Sequence, residues 1–283
     1  MPAALVANNY GKSAVRLVKV VRDGAHHDIH DFTVDVRCKG DFAAAHIAGD
    51  NSAVLATDTM KNTVYALARQ HDVDPPEAFA ATIGAYLLTA SRAATRVTVE
   101  IAKHSWRRID VGGRAHDSAF EHGSAEDRIA CVTTDRSGTV VVEAGVRDLV
   151  VLRSAGSAFS GFPRDRYTTL KETRDRIMAT AITARWRYTA DVKAFNAAFS
   201  AARAALTGTF ATHASESVQH TLYAMGDAAL AACPEMKEIR LSLPNKHHLL
   251  VDLSPFGLDN PNEIFVSTTE PYGLIEATLR RER

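Results

Sequence analysis

Residues 29–38 read Ile-His-Asp-Phe-Thr-Val-Asp-Val-Arg-Cys. Phe32, Val34, Val36 and Cys38 fall on one side of this stretch, and Thr33, Asp35 and Arg37 on the other. A period of two belongs to a strand with one buried face. Upstream, residues 15–21 form a second β-rich run. Asp23-Gly24 between them marks a turn, with a spacing several residues longer than a tight hairpin. Downstream the period lengthens. A helix begins near Asp58 and carries Met60, Val64, Leu67 and Ala68 on one face. A second has Asp74 as N-cap, Pro75 at its first position and Glu77 completing a capping-box-like pair. Its apolar face is Phe79, Ile83, Tyr86, Leu87 and Ala90. Strands return at 96–103, where Val97, Val99 and Ile101 alternate, and at 129–142, broken by Arg136-Ser-Gly138.

The second half repeats this order. Residues 146–152 and 180–188 read as strands around a long insertion. Asp191 is expected to cap a helix bearing Val192, Phe195, Phe199, Ala202 and Leu206, with Gly208 near its end. Ser215 is expected to open another, with Val218, Leu222, Met225 and Ala229, and Pro234 stops it. Strands at 238–243, 249–253 and 264–267 close the half. Hairpin-linked strands imply antiparallel sheets, and paired helices imply one covered face. The chain is therefore expected to be α+β, with two tandem domains at 1–144 and 145–283. Each has a four-stranded sheet under two helices. Open sheet edges need pairing or cover, which points to homo-oligomers.

Composition narrows the function. Among 283 residues, 33 Lys and Arg balance 33 Asp and Glu, so no global basic field exists to hold a nucleic acid. Apolar residues make up 46% and charged residues 23%, as in an ordinary globular protein. Cys38, Cys131 and Cys233 are odd in number and far apart, which fits free thiols in a reducing compartment. No stretch approaches 18 consecutive apolar residues, no cationic-then-apolar leader is visible, and Arg280-Arg-Glu-Arg283 is not a peroxisomal address. A cytoplasmic protein that does not span membranes is expected.

Several polar clusters have bland readings. Tyr10-Gly-Lys12 precedes a strand, where a lysine is usually a solvated edge charge. Ala56-Thr-Asp-Thr59 precedes a helix, where Thr or Asp is normally an N-cap. Asn245-Lys-His-His248 sits between strands and taken alone is a polar turn. His26, His27 and His30 match no strong zinc spacing. The long insertion is richer. Phe159-Ser-Gly-Phe162, Asp165-Arg-Tyr-Thr-Thr-Leu170 and Asp175-Arg-Ile177 combine aromatics, hydroxyls and arginines. A phenyl ring stacks on a flat heterocycle and an arginine fork grips its carbonyl oxygens. On spacing alone, Phe159 and Phe162 could equally anchor the loop in the core.

In order along the chain, these segments resemble the urate oxidase (uricase) family. The matching stretches are Tyr10-Gly-Lys12, Ala56-Thr-Asp-Thr-Met-Lys-Asn-Thr-Val-Tyr65, Phe159-Ser-Gly-Phe162 and Asp165-Arg-Tyr-Thr-Thr-Leu-Lys-Glu-Thr173. They continue through Ser217-Val-Gln219, Asn245-Lys-His-His248, Asp252-Leu253, Pro255-Phe-Gly-Leu258, Asn262-Glu263 and Pro271-Tyr-Gly-Leu-Ile275. The resemblance spans residues 8 to 276. It implies two tunnelling-fold (T-fold) domains whose sheets close into β-barrels between subunits, a homotetramer, and active sites where two chains meet. It also implies oxidation of urate by O2 and water to 5-hydroxyisourate and H2O2, a step of purine degradation, with no metal or organic cofactor.

The resemblance further implies site residues. Lys12, Thr57 and His247 match the proton-transfer triad. Thr57 and Asp58 match positions at the substrate, Arg176 the arginine on urate oxygens, and Gln219 the glutamine on the opposite purine edge. Val218 would offer its backbone N–H, Phe159 would stack on the ring, and Asn245 would face the O2 and water position. One chain would supply Thr57 and its neighbour Phe159, Arg176 and Gln219. His248 adjoins His247, and strand alternation lets only one of them face the ligand. Two other readings stand beside this one. A zinc-dependent pterin or purine ring hydrolase of the same fold needs clustered Cys and His ligands. A non-catalytic purine-binding protein would have no use for Lys12, Thr57 and His247 together.

Overall fold

The computed structural model describes residues 3–189 and 192–282. Asp191, expected to cap a helix, lies outside them. The chain forms two compact units. One runs to Gly145 and includes Arg187–Asn196; the other comprises Val146–Trp186 and the residues from Ala197 on.

In the first unit, β1 (Tyr10–Asp23), β2 (His26–Gly40), β3 (Ala94–Val111) and β4 (Arg114–Asp135) form an antiparallel sheet in that order. Between β2 and β3 lie a short helix α1 (Ala43–Ile47), then α2 (Thr57–Gln70) and α3 (Pro76–Ala90). The alternation at 32–38 does what its period requires: Phe32, Val34, Val36 and Cys38 are fully buried. They share one core with Val97, Val99 and Ile101 of β3, Met60 and Val64 of α2, and Phe79, Ile83 and Leu87 of α3. Each such burial contributes about 1.5–3 kcal/mol. α2 packs on β1, and α3 on β3 and β4.

Three sequence expectations need correction in this unit. The β1–β2 turn is tight: Asp23 pairs with His26, leaving only Gly24 and Ala25 outside the ladder. Gly24 adopts φ +56°, a conformation that costs glycine nothing. The expected strands are also too short. β3 and β4 run on to the Gly112-Gly113 turn through a polar stretch whose side chains show no apolar alternation. Finally, the cap of α3 is Pro75, with no side-chain cap. Asp74 instead binds Lys103 Nζ at 2.7 Å and Asn196 at 2.8 Å. Glu77, with no side-chain exposure, accepts two hydrogen bonds from Arg128, at 3.1 and 2.8 Å.

In the second unit the sheet order is β5 (Val140–Arg153), β6 (Met178–Tyr188), β7 (Met236–Pro244) and β10 (Leu274–Arg280). The helices are α4 (Phe195–Thr212) and α5 (Val218–Ala232), the latter packed on β7 and β10. Ile182, Trp186, Leu206, Leu222, Met225 and Leu241 are buried. The stretches at 249–253 and 264–267, expected as strands of this sheet, both lie outside it. They correspond to β8 (His247–Leu250) and β9 (Phe265–Thr268), a separate two-stranded ribbon. The fourth sheet strand is β10, which pairs antiparallel with β7 from Leu274↔Pro244 to Arg280↔Glu238. α5 is capped by Ser217, not opened by Ser215; Ser215 is buried and its hydroxyl donates to the Ser217 carbonyl at 3.0 Å. No helix among the described residues is long and apolar enough to cross a membrane.

Candidate active site

The first unit positions Lys12, Thr57 and Asp58. Lys12 lies opposite Val36, immediately before a β-bulge that resumes at Val15 opposite Val34. Bulges re-aim a strand's side chains. Here Ala14 sits at φ +55°, and its N–H donates to Asp35 Oδ1 at 3.0 Å. Gly11, just before Lys12, has no room for a side chain: a Cβ would lie 1.8 Å from the Val36 carbonyl oxygen.

Thr57 is the first residue of α2. The cap is Ala56, which uses no side chain, so neither Thr57 nor Asp58 serves as the cap. Among the described residues the half-buried Thr57 hydroxyl has no assigned hydrogen-bond partner. Asp58 is exposed and engages Lys61 and Asn62, the latter at 3.0 Å. Its carboxyl is held below the usual carboxylate range by Lys61 first, with a smaller pull from Lys12.

The second unit builds a cavity. Short backbone bridges fold the long insertion back on itself. Phe159 and Thr173 exchange hydrogen bonds at 2.8 and 3.0 Å, and Asp175 Oδ1 accepts the Gly156 N–H at 2.6 Å. Ala158 N–H donates to the Ser215 carbonyl at 2.7 Å, which ties the insertion to the turn before α5. The Phe162 ring backs that of Phe159, stacked at 4.9 Å and 13°. The Arg176 guanidinium lies 5.4 Å from the Phe159 ring centre. Burial lowers the Arg176 pKa, and its buried Nε has no hydrogen-bond partner among the described residues. A desolvated cationic donor without an acceptor is costly unless a ligand supplies one.

Across the cavity, Asn245 is held by its N–H to the Gly273 carbonyl at 2.8 Å, and Lys246 by its N–H to Ala179 at 2.9 Å. Phe159, Arg176, Asn245, His247 and His248 therefore border one space of about 160 Å³. Both histidines border it, so alternation does not separate them. Hydrogen bonding does: His248 Nδ1 bonds the Lys246 carbonyl at 3.1 Å.

Val218 and Gln219 are not in that lining; they begin α5. The Ser217 hydroxyl takes the His220 N–H at 3.1 Å. The N–H groups of Val218 and Gln219 belong to the first helical turn, where the helix offers no carbonyl. Val218 is buried and Gln219 exposed.

The sequence reading passed over two cations in the lining, Lys171 and Lys246. Both lie inside quoted motifs, so their positions were visible but their direction was not. With Arg176 they give the cavity a positive lining that includes no carboxylate. Among the described residues, no three His, Cys, Asp or Glu side chains converge to hold a metal ion.

A family model described as Uricase matches residues 8–133 and 142–276. The chain belongs to the uricase family. A uricase of Arthrobacter globiformis is 48% identical over 97% of this chain and 89% of its own length. One of Dictyostelium discoideum is 36% identical over 99% and 98%. The crystal structure of the Arthrobacter uricase superposes with a TM-score of 0.94 at 47% identity, covering 100% of this chain and 96% of that one. The antiparallel α+β architecture is thus that of the tunnelling-fold uricases.

Proposed function

We propose that the protein oxidises urate with O2 and water to 5-hydroxyisourate and H2O2, without a metal or organic cofactor. One observation carries the reading beyond family membership. The buried Arg176 Nε, without a partner among the described residues, belongs to a guanidinium beside the Phe159 ring, in a positively lined cavity bordered by Asn245 and His247. A planar anion rich in carbonyl oxygens matches that set of groups.

Phe159 stacks on the purine and Arg176 binds its oxygens. Gln219 and the Val218 N–H hold the opposite edge, aided by a first-turn N–H at the positive end of the α5 dipole. Removing a proton from urate raises its electron density, which lets it reduce O2 directly. Lys12, Thr57 and His247 form the proton relay. A lysine accepts a proton only as the neutral amine, a hydroxyl both donates and accepts, and an imidazole shuttles near neutral pH. Asn245 orients O2 and then water above the ring. Asp58 completes the Thr57 end of the site.

In the same reading each T-fold domain, 1–144 and 145–283, closes barrels with its counterparts in a cytoplasmic homotetramer. Lys12 and Thr57 then meet Arg176 and Phe159 at a subunit interface.

The test is urate absorbance followed in parallel with O2 uptake and H2O2 release, after exhaustive chelation. Equal consumption of urate and O2 with equal H2O2 is expected. Activity that vanishes on chelation and returns with one metal ion would overturn the cofactor-free part. Binding without turnover would overturn the enzyme itself.

A further inference from the structure

We propose that Tyr10 is a positioning residue for the proton relay, its hydroxyl holding the segment that carries Thr57 against the strand that carries Lys12. The inference rests on the relay reading above and adds a residue to it. The Tyr10 hydroxyl oxygen accepts the Leu55 N–H at 2.9 Å, across 45 positions of sequence. Leu55 precedes Ala56, the cap of α2, whose carbonyl accepts the first helical hydrogen bond from Met60 at 3.2 Å. Fixing the Leu55 N–H therefore fixes where α2 starts, and Thr57 is its first residue.

At the other end, Tyr10 and Lys12 are two apart on one strand and so point to the same side of it. The Tyr10 ring is itself clamped. It meets the buried Phe42 edge-on at 4.7 Å and 82°, and lies opposite Cys38 in the β1–β2 ladder. Other hydrogen bonds of the approach to α2 are short-range: Ser52 to Asp50, and Val54 to Asn51. Burial, then the neighbouring Cys38 thiol, pushes the Tyr10 phenol above its ordinary value.

A hydroxyl relay works over hydrogen-bond distances, so an ångström of drift between Lys12 and Thr57 interrupts it. A phenylalanine at position 10 keeps the ring, the Phe42 contact and the strand, and removes only the hydroxyl, with its bonds to the Leu55 N–H and to Ser91. For Tyr10→Phe we expect kcat to fall about tenfold, in keeping with the cost of misplacing a reacting group. KM should stay within about twofold, because Phe159, Arg176, Gln219 and the Val218 N–H, which hold the urate ring in this reading, are not moved. The melting temperature should change little, and the Leu55 amide should exchange with solvent faster than in the wild type.

Lys12→Met, measured alongside, separates the two layers of the argument. Wild-type kcat in Tyr10→Phe, with Lys12→Met inactive, overturns the positioning role and leaves the relay standing. Full activity in Lys12→Met overturns the relay and the positioning role together. Should Tyr10→Phe fold poorly, the wild-type protein still decides: an unprotected Leu55 amide in hydrogen exchange ends the proposal.

Discussion

Arg176 shows at the scale of one residue how motif and geometry divide the work. Its place in Asp175-Arg-Ile177 marked it as a ligand for oxygens. The structure adds that its half-buried guanidinium lies beside Phe159 and that its Nε has no partner among the described residues, the setting of a donor that a ligand oxygen would complete. Arg176→Gln should raise KM for urate about 10–100-fold, the loss of a charge-assisted pair worth about 1.5–3 kcal/mol. An unchanged KM in steady-state assays would place the substrate elsewhere. The histidine pair gives a sharper residue-scale test. His248 is tied to the Lys246 carbonyl, whereas His247 is the motif's relay position. His247→Ala should lower kcat about 10²–10⁴-fold, and His248→Ala by less than about tenfold. The reverse order in stopped-flow or steady-state rates would shift the assignment by one residue. Lys171 and Lys246 escaped the sequence reading because long flexible cations look alike in a sequence whether they line a cavity or face solvent.

At the scale of elements, α3 illustrates how a local signal misleads. Asp74 and Glu77 look like a capping pair, yet both serve contacts far away in sequence. Glu77 is buried against Arg128, whose own side chain is 11% exposed. Removing one partner of such a pair leaves a desolvated charge, so Glu77→Ala should cost about 3–5 kcal/mol in denaturant titrations. A shift in midpoint smaller than about 1 kcal/mol would mean that Arg128 is satisfied without it.

Asp74 gives a pH prediction. Burial pushes its carboxyl up, but hydrogen bonding and charge from Lys103, with Asn196, hold it below its ordinary value on balance. A depressed folded pKa adds stability above the unfolded pKa, about 3.9, and that stability is lost as pH falls through the folded value. Asp74→Asn should therefore be less stable than wild type at neutral pH. The gap should narrow in melts below about pH 4. A gap that is constant with pH would show that Asp74 ionisation is not linked to folding.

The helices and the strand at 32–38 were legible because a single buried face imprints its period. β10 was legible in principle, since Ile275, Ala277 and Leu279 alternate, but its pattern is faint: Ile275 and Leu279 are only partly buried and the rest exposed.

At the scale of the whole molecule, β1 is an edge strand of the first unit's sheet and β10 an edge strand of the second's. Leu249, Leu250 and Val266 of the β8–β9 ribbon are exposed. Unpaired edges and apolar rows of this kind ask for cover, and a second copy of the chain supplies it in the proposed assembly. If each site joins Thr57 of one chain to Arg176 of another, Thr57→Ala and Arg176→Ala should each be nearly inactive alone. Co-refolded in equal amounts, they should recover about a quarter of the wild-type activity, since isologous pairing leaves one intact site in each mixed pair. Mixed oligomers proven by mass spectrometry but inactive would assign both residues to one chain's site.

By itself the sequence determined the repeated strand-strand-helix-helix order, the α+β class and the family, and it named the candidate site residues. These are carried by periods and motifs within a few neighbouring positions, and such patterns survive in a linear string. Only the tertiary structure decided that β10 closes the second sheet while β8 and β9 stand apart. It alone decided that Asp74 and Glu77 face distant cations, that Phe162 backs Phe159, and that Tyr10 reaches Leu55. Each of these joins groups well apart along the chain, whose meeting depends on how packed elements bring them into register.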